Sequence, residues 1–163
     1  MKTLEMEIAL ANYFRFFQNI VVPNVSYGMG LHECDLLIMT GTGYLIEVEI
    51  KVSKQDLLAE RKKRHGHRSN KIKKLYFAVP VFLADFALEH IPDRAGLIVV
   101  YERWKGRYDC SVIKRAKSNE IAVSVDEAER YRLTRLGAIR LWSIKKKLLK
   151  LTLNKKNKLR RRQ

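Results

Sequence analysis

Residues 33–53 read ECDLLIMTGTGYLIEVEIKVS and admit few conformations. In the second half, Glu47, Glu49 and Lys51 alternate with Val48, Ile50 and Val52. Successive strand side chains point to opposite faces and β-branched residues suit strands, so the alternation predicts a strand with one buried face. Residues 34–39 form a short apolar run bearing one acid, Asp35. Thr40-Gly41-Thr42-Gly43 between the runs is turn chemistry, which predicts an antiparallel hairpin. Cross-strand neighbours lie side by side, so Asp35 should meet Glu49 and Lys51. Two carboxylates and an ammonium on one small surface suit a hard divalent cation with a water placed on it. The same alternation also describes a solvated sheet face carrying ordinary charges.

The rest of the chain must supply a core for this hairpin. Its 163 residues, 47% of them hydrophobic, suit one domain and exclude a disordered chain. No apolar run approaches the roughly 20 residues that cross a bilayer, and no membrane partner is expected. Glu5 and Glu7 interrupt any signal-peptide core. Cys34 and Cys110 are the only cysteines. They form neither a disulfide framework nor a zinc spacing, which predicts free thiols and a cytoplasmic protein. Lys plus Arg number 33 against 17 acids, a net charge of +16. Residues 145–163 hold ten basic residues and no acid, so the end of the chain supplies most of the excess. That balance favours a polyanion, nucleic acid before membrane. Basic tails also serve solubility alone.

Taken in order, residues 4–17 predict a helix capped by Thr3. Leu4, Ile8 and Ala11 share one stripe and Met6, Leu10, Tyr13 and Phe17 another, which predicts a well-buried helix. Glu5 and Glu7 suit the helix dipole, or one of them serves a metal site. Residues 19–27 predict a first strand, with Pro23 placing it at an edge or bulge. Gly28 and Gly30 turn the chain into the hairpin. Ser53 opens a second helix, with Asp56 near its positive end. That helix runs through Leu57, Leu58 and Glu60 into Arg61, Lys62, Lys63 and Arg64, where phosphate binding is electrostatically natural. His65 and His67 end it, as surface loop residues or as metal ligands. Residues 75–82 follow the basic cluster 71–74 as a buried strand ending near Pro80. A strand–helix–strand crossover makes it parallel to the strand of Glu49. Residues 83–90 predict a short helix, 95–101 a second buried strand, and 108–114 its hairpin partner across Lys105-Gly106. Ser124 with Glu127 caps a long helix to residue 150, with Tyr131, Leu136, Ile139 and Trp142 as packing residues. Residues 151–163 are expected to be a mobile tail.

The order helix, strand, acidic hairpin, helix, strand, with Asp35 followed by Glu49-Ile50-Lys51, resembles the PD-(D/E)xK nuclease superfamily. Within it, EVEIKVSKQDLLAERKKRHGH, KLYFAVP and IPDRAGLIVV resemble the MmcB-like DNA repair family and related phage proteins. The likeness covers roughly residues 5–115 and implies an α/β fold, a restriction-endonuclease-like mixed central β-sheet flanked by helices, with a C-terminal helix and basic tail. Residues 1–150 would form the nuclease-like domain and 151–163 the tail.

The resemblance also implies roles. Asp35 and Glu49 would ligate Mg²⁺ or Mn²⁺, with the Ile50 carbonyl as a further ligand. Lys51 would hold the attacking water or stabilise charge building on phosphate. Glu5, before Glu7, would match the acid of the first helix, and Glu47 would support the site from behind. Cys34 stands where the superfamily has Pro. Lys54, Arg61, Lys62, Lys63, Arg64 and Lys71 are the candidate DNA contacts. The implied activity is metal-dependent hydrolysis of DNA phosphodiesters in repair or processing. The alternatives are a non-catalytic DNA-binding accessory protein on the same fold and, last, a charged structural protein. A homodimer would allow both strands to be cut. Lys51→Ala is expected to abolish cutting and leave folding intact.

Overall fold

Six strands hydrogen-bond in chain order into one mixed sheet: β1 (Ile20–Val25), β2 (Cys34–Met39), β3 (Leu45–Ile50), β4 (Ile72–Pro80), β5 (Gly96–Trp104) and β6 (Arg107–Lys114). Four helices flank it: α1 (Thr3–Tyr13), α2 (Lys54–Glu60), α3 (Ala84–His90) and α4 (Glu127–Arg160). This architecture comes from a computed structural model that describes residues 1–25, 32–60 and 69–160, with side chains to residue 154. β1, β2 and β3 pair antiparallel, β3–β4 and β4–β5 parallel, and β5–β6 antiparallel. The expected α/β fold, the hairpin and the parallel crossover through α2 are therefore present. The turn connecting β1 to β2, with Gly28 and Gly30, lies outside the described residues.

Side-chain alternation sends two apolar sets to opposite faces. On one face Leu36, Ile38, Val48, Ile50, Ala78, Ile98 and Val100 meet Met6, Ala9 and Leu10 of α1. On the other, Phe77, Val79, Leu97 and Val99 pack under Leu57, Ala87 and Ile91, while Leu37, Met39 and Leu45 pack with Leu133 of α4. Both faces of β3 are thus covered, which corrects the expected single buried face. Glu47, Glu49 and Lys51 are buried in the strip between the two clusters on the second face. Each fully buried large apolar side chain contributes roughly 1.5–3 kcal/mol, and acids within such a layer must be paired.

Several element details differ from the sequence reading. α1 ends at Tyr13, and its N-cap is Lys2 instead of Thr3. Leu4 and Ile8 are exposed, so α1 buries one stripe, not two. Arg15 takes a positive φ of 52° and breaks the helix before Phe17. β1 carries Pro23 at the sheet edge as expected, and Asn24 takes a positive φ of 53° while the register runs on unchanged to Val25–Cys34. A 3₁₀ turn, Val81–Leu83, precedes α3. The cap of α4 sits two residues further along: the Glu129 N–H donates to Asp126 Oδ1 at 2.7 Å and the Asp126 N–H to Glu129 Oε2 at 3.0 Å. This capping box replaces the expected Ser124–Glu127 pair. α4 then runs to Arg160, so residues 151–160 continue a helix and are not a separate tail. Tyr131, Ile139 and Trp142 are exposed, leaving Leu133 and Leu136 as its packing residues.

One glycine is fixed by contact. A Cβ on Gly96, at the start of β5, would stand 2.4 Å from the Tyr76 ring and 2.6 Å from the Ala116 nitrogen. Gly96→Ala should lower stability by about 1–3 kcal/mol through overpacking, read as a lower urea midpoint at unchanged slope.

Candidate functional site

The β2–β3 ladder runs from Met39–Leu45 to Leu36–Val48 and then opens. At the opening the Asp35 carboxylate accepts the Ile50 N–H at 2.8 Å, replacing a backbone partner with a side chain. Beyond β3, Lys51 stays tied to β4 through its N–H to the Ala78 carbonyl at 2.9 Å. The hairpin therefore brings Asp35, Glu49 and Lys51 together at the carboxyl end of a parallel strand, where open α/β sheets place ligands.

α2 closes the group. The Asp56 N–H donates to Ser53 Oγ at 3.1 Å, and the Val52 N–H to Asp56 Oδ2 at 3.3 Å, a reciprocal cap that starts the helix directly after Lys51. Leu57 inserts into the core, and Glu60 follows three residues later on the same helix face. Lys51 Nζ lies 2.7 Å from Glu49 Oε2, 2.8 Å from Glu60 Oε2 and 3.5 Å from Asp35 Oδ2. Lys51 is 4% exposed, Glu49 1% and Glu60 6%, so the ammonium and two carboxylates are buried together. Asp35, at 36% side-chain exposure, is the member open to solvent. A cavity of about 310 Å³ is lined by Cys34, Asp35, Glu49, Lys51, Asp56 and Glu60 among others.

Burial pushes the Glu49 carboxyl up to about 7; Lys51 pulls it back, while Asp35 and Glu60 add to the rise. Burial works against the Lys51 charge, but Glu49, Glu60 and Asp35 outweigh it and hold the ammonium above its ordinary range. Lys51 is thus a fixed cation, and Glu49 an acid poised near neutrality. Burial and the surrounding carboxylates also raise the Cys34 thiol, so this buried cysteine is an unreactive wall of the cavity.

The first-helix acids separate. Glu5 accepts the Lys2 N–H at 2.6 Å and faces Tyr108 of β6, away from the cavity. Glu7, which is not among the residues lining the cavity, is the first-helix acid within electrostatic reach of Asp35. Burial raises its carboxyl, a hydrogen bond with Asn24 lowers it, and the charge of Asp35 raises it again. Met6, Ala9 and Leu10 face the core, and of the two acids Glu7 is the one that feels the Asp35 charge. Glu47 is wholly buried, and its Oε1 lies 2.7 Å from His32 Nε2. Lys71 holds Glu129 at 2.8 Å and so ties β4 to the start of α4 instead of standing open for phosphate. Lys54 lies over the Phe86 ring at 4.9 Å. Arg61, Lys62, Lys63, Arg64, His65 and His67 lie outside the described residues.

Three participants escaped the sequence reading. Glu60 lies three residues after Leu57 on the same helix face, but its reach to Lys51 is set by tertiary packing. Asp56 was assigned only to the helix dipole. His32 carried no local signal, because its partner is fifteen residues away.

The donors facing the cavity are hard oxygens, the chemistry Mg²⁺ and Mn²⁺ take. Among the described residues, no group of three His, Cys, Asp or Glu side chains is disposed to hold a metal ion by itself. Asp35 and Glu49 are the carboxylates that could offer oxygen ligands to such a cation, whose remaining ligands would come from water and phosphate.

Comparison with known proteins now bears on this geometry. A search of curated proteins finds no significant match. A solved protein of unknown function from Silicibacter pomeroyi superposes with a TM-score of 0.60 at 20% identity, covering 88% of each chain. That likeness supports the fold. The profile described as DNA repair protein MmcB-like matches residues 2–148, which include every strand and the whole cavity. The chain belongs to the MmcB-like DNA repair family.

Proposed function

We propose that this protein is a metal-dependent, nuclease-like enzyme of DNA repair or processing that hydrolyses phosphodiester bonds, with the PD-(D/E)xK arrangement at its centre. The observation that carries the reading is the meeting of Asp35, Glu49 and Lys51 at the open end of one hairpin. Asp35 and Glu49 would hold Mg²⁺ or Mn²⁺, with the Ile50 carbonyl beside them. Bound there, the ion would neutralise phosphate charge and lower the pKa of a water. Lys51 presents a permanent positive charge where charge builds on phosphate. Glu60 and Glu49 fix the position of that ammonium, and Glu47 with His32 stiffens β3 behind it.

A second reading, a DNA-binding accessory protein without catalysis, draws on a specific observation. The Lys51 ammonium is already clamped by two carboxylates, an arrangement that stands without any metal. Incubation of plasmid, linear, single-stranded, branched and mismatched DNA with Mg²⁺ or Mn²⁺ separates the two. Cleavage by the wild type and its loss in Asp35→Asn supports the enzyme. Salt-sensitive binding by both proteins with no cutting of any substrate favours the accessory protein.

A further inference from the structure

α4 is about 50 Å long at 1.5 Å per residue, far longer than its contact with the sheet. Leu133 is buried, Gly137 lets the helix approach Val22, and the Arg140 guanidinium donates to the Asn24 carbonyl. Past this anchor, large apolar side chains stand in solvent: Trp142 is 60% exposed, Ile144 56%, Leu148 62%, Leu149 61% and Leu151 66%. At 3.6 residues per turn these positions, with Leu141 and Leu153, span about half the helix circumference. Lys146, Lys147 and Lys150 occupy the other half. After Glu129 the chain holds fourteen basic residues and no acid.

The occupant of this face must satisfy both halves. A DNA duplex offers phosphates but no apolar surface of matching width. A second copy of α4 would bring like charge against like charge. Lys145 also sits within the apolar arc, which breaks the narrow seam that paired helices need. A wide apolar arc with tryptophan at its margin, opposite a lysine face, is the pattern of helices that lie in the plane of an anionic lipid surface. No described helix is long and apolar enough to cross a membrane, and lying on one requires no such length. We propose that the outer half of α4 is a docking surface for an anionic lipid bilayer, with the arc of Trp142, Leu148 and Leu149 at the acyl boundary and the lysines among the headgroups.

The test uses the full chain with vesicles of phosphatidylcholine, with and without phosphatidylglycerol. A Trp104→Phe background leaves Trp142 as the single tryptophan reporter. Co-sedimentation with the anionic vesicles and a blue shift of Trp142 emission are expected, with little of either on phosphatidylcholine alone. Leu148→Glu with Leu149→Glu should weaken partitioning at least about tenfold, since the apolar contact area is lost. Each Lys→Gln at 146, 147 or 150 should weaken it about fivefold, the share of one charge near such a surface. Both leucines are exposed, so circular dichroism of the variant should match the wild type. Failure to bind anionic vesicles overturns the proposal. Self-association that the leucine pair abolishes, without vesicle binding, assigns the face to a second copy and overturns it. Protection of Trp142 by duplex DNA, without vesicle binding, assigns the face to nucleic acid and also overturns it.

Discussion

Lys51→Ala should unfold more readily than the wild type by about 3–5 kcal/mol near pH 8, because it removes the ammonium that two buried carboxylates share. This replaces the expectation that folding survives intact. The reason is geometric: Glu49 and Glu60 lie within 2.8 Å of one ammonium that is 4% exposed. The deficit should depend on pH. Glu49 has its folded-state value raised from 4.5 to about 7. Its contribution therefore favours the folded state below 4.5 and is lost as pH rises through about 7. Removing Lys51 takes away the neighbour that holds Glu49 down, which extends this loss and deepens it at high pH. Urea titrations should show the gap between variant and wild type shrinking from about pH 8 to about pH 5, as Glu49 takes up a proton. Adding Glu49→Gln should recover part of the loss at the higher pH. A gap that is equal at both values would contradict the buried-cluster account. Lys51→Ala is accordingly a poor probe of catalysis, since lost cutting would also follow from lost folding.

Asp35→Asn should separate chemistry from stability. Asp35 is the partly open member of the cluster, and asparagine keeps an oxygen that can accept the Ile50 N–H. Its unfolding free energy should stay within about 1 kcal/mol of the wild type. Metal-dependent cleavage of DNA should fall at least about 100-fold, since even the partners behind metal ligands are worth 10–100-fold. In the wild type the same cleavage should rise with pH through about 7, where Glu49 becomes the carboxylate a cation needs. Equal cleavage rates for Asp35→Asn and the wild type would remove Asp35 from the mechanism.

The parts of the fold that the sequence made legible are those where one local period dominates. Alternation of Glu47 to Val52 around a Gly-rich turn fixed the hairpin, and the length of the next connection forced β4 parallel to β3. α1 was ambiguous because apolar residues fall on several sides of it. Only tertiary contact selects Met6, Ala9 and Leu10. The start of α4 was read as a Ser124–Glu127 box, but Asp126–Glu129 forms the cap, where Lys71 reaches Glu129. Its far end lacks any Gly or Pro stop, so the helix runs on past residue 150. The clamp by Glu60 depends on how α2 lies against β3, which no single period encodes.

The claim on which the functional reading rests is that Asp35 and Glu49 hold a divalent cation. Titration of the wild type and Asp35→Asn with Mn²⁺, followed by the loss of the free-ion electron spin resonance signal, tests it most directly. The account predicts one Mn²⁺ per wild-type chain, with affinity at least about tenfold weaker in the variant and falling as pH drops below about 7. Equal Mn²⁺ affinity in the two proteins, or no binding by either, would contradict it.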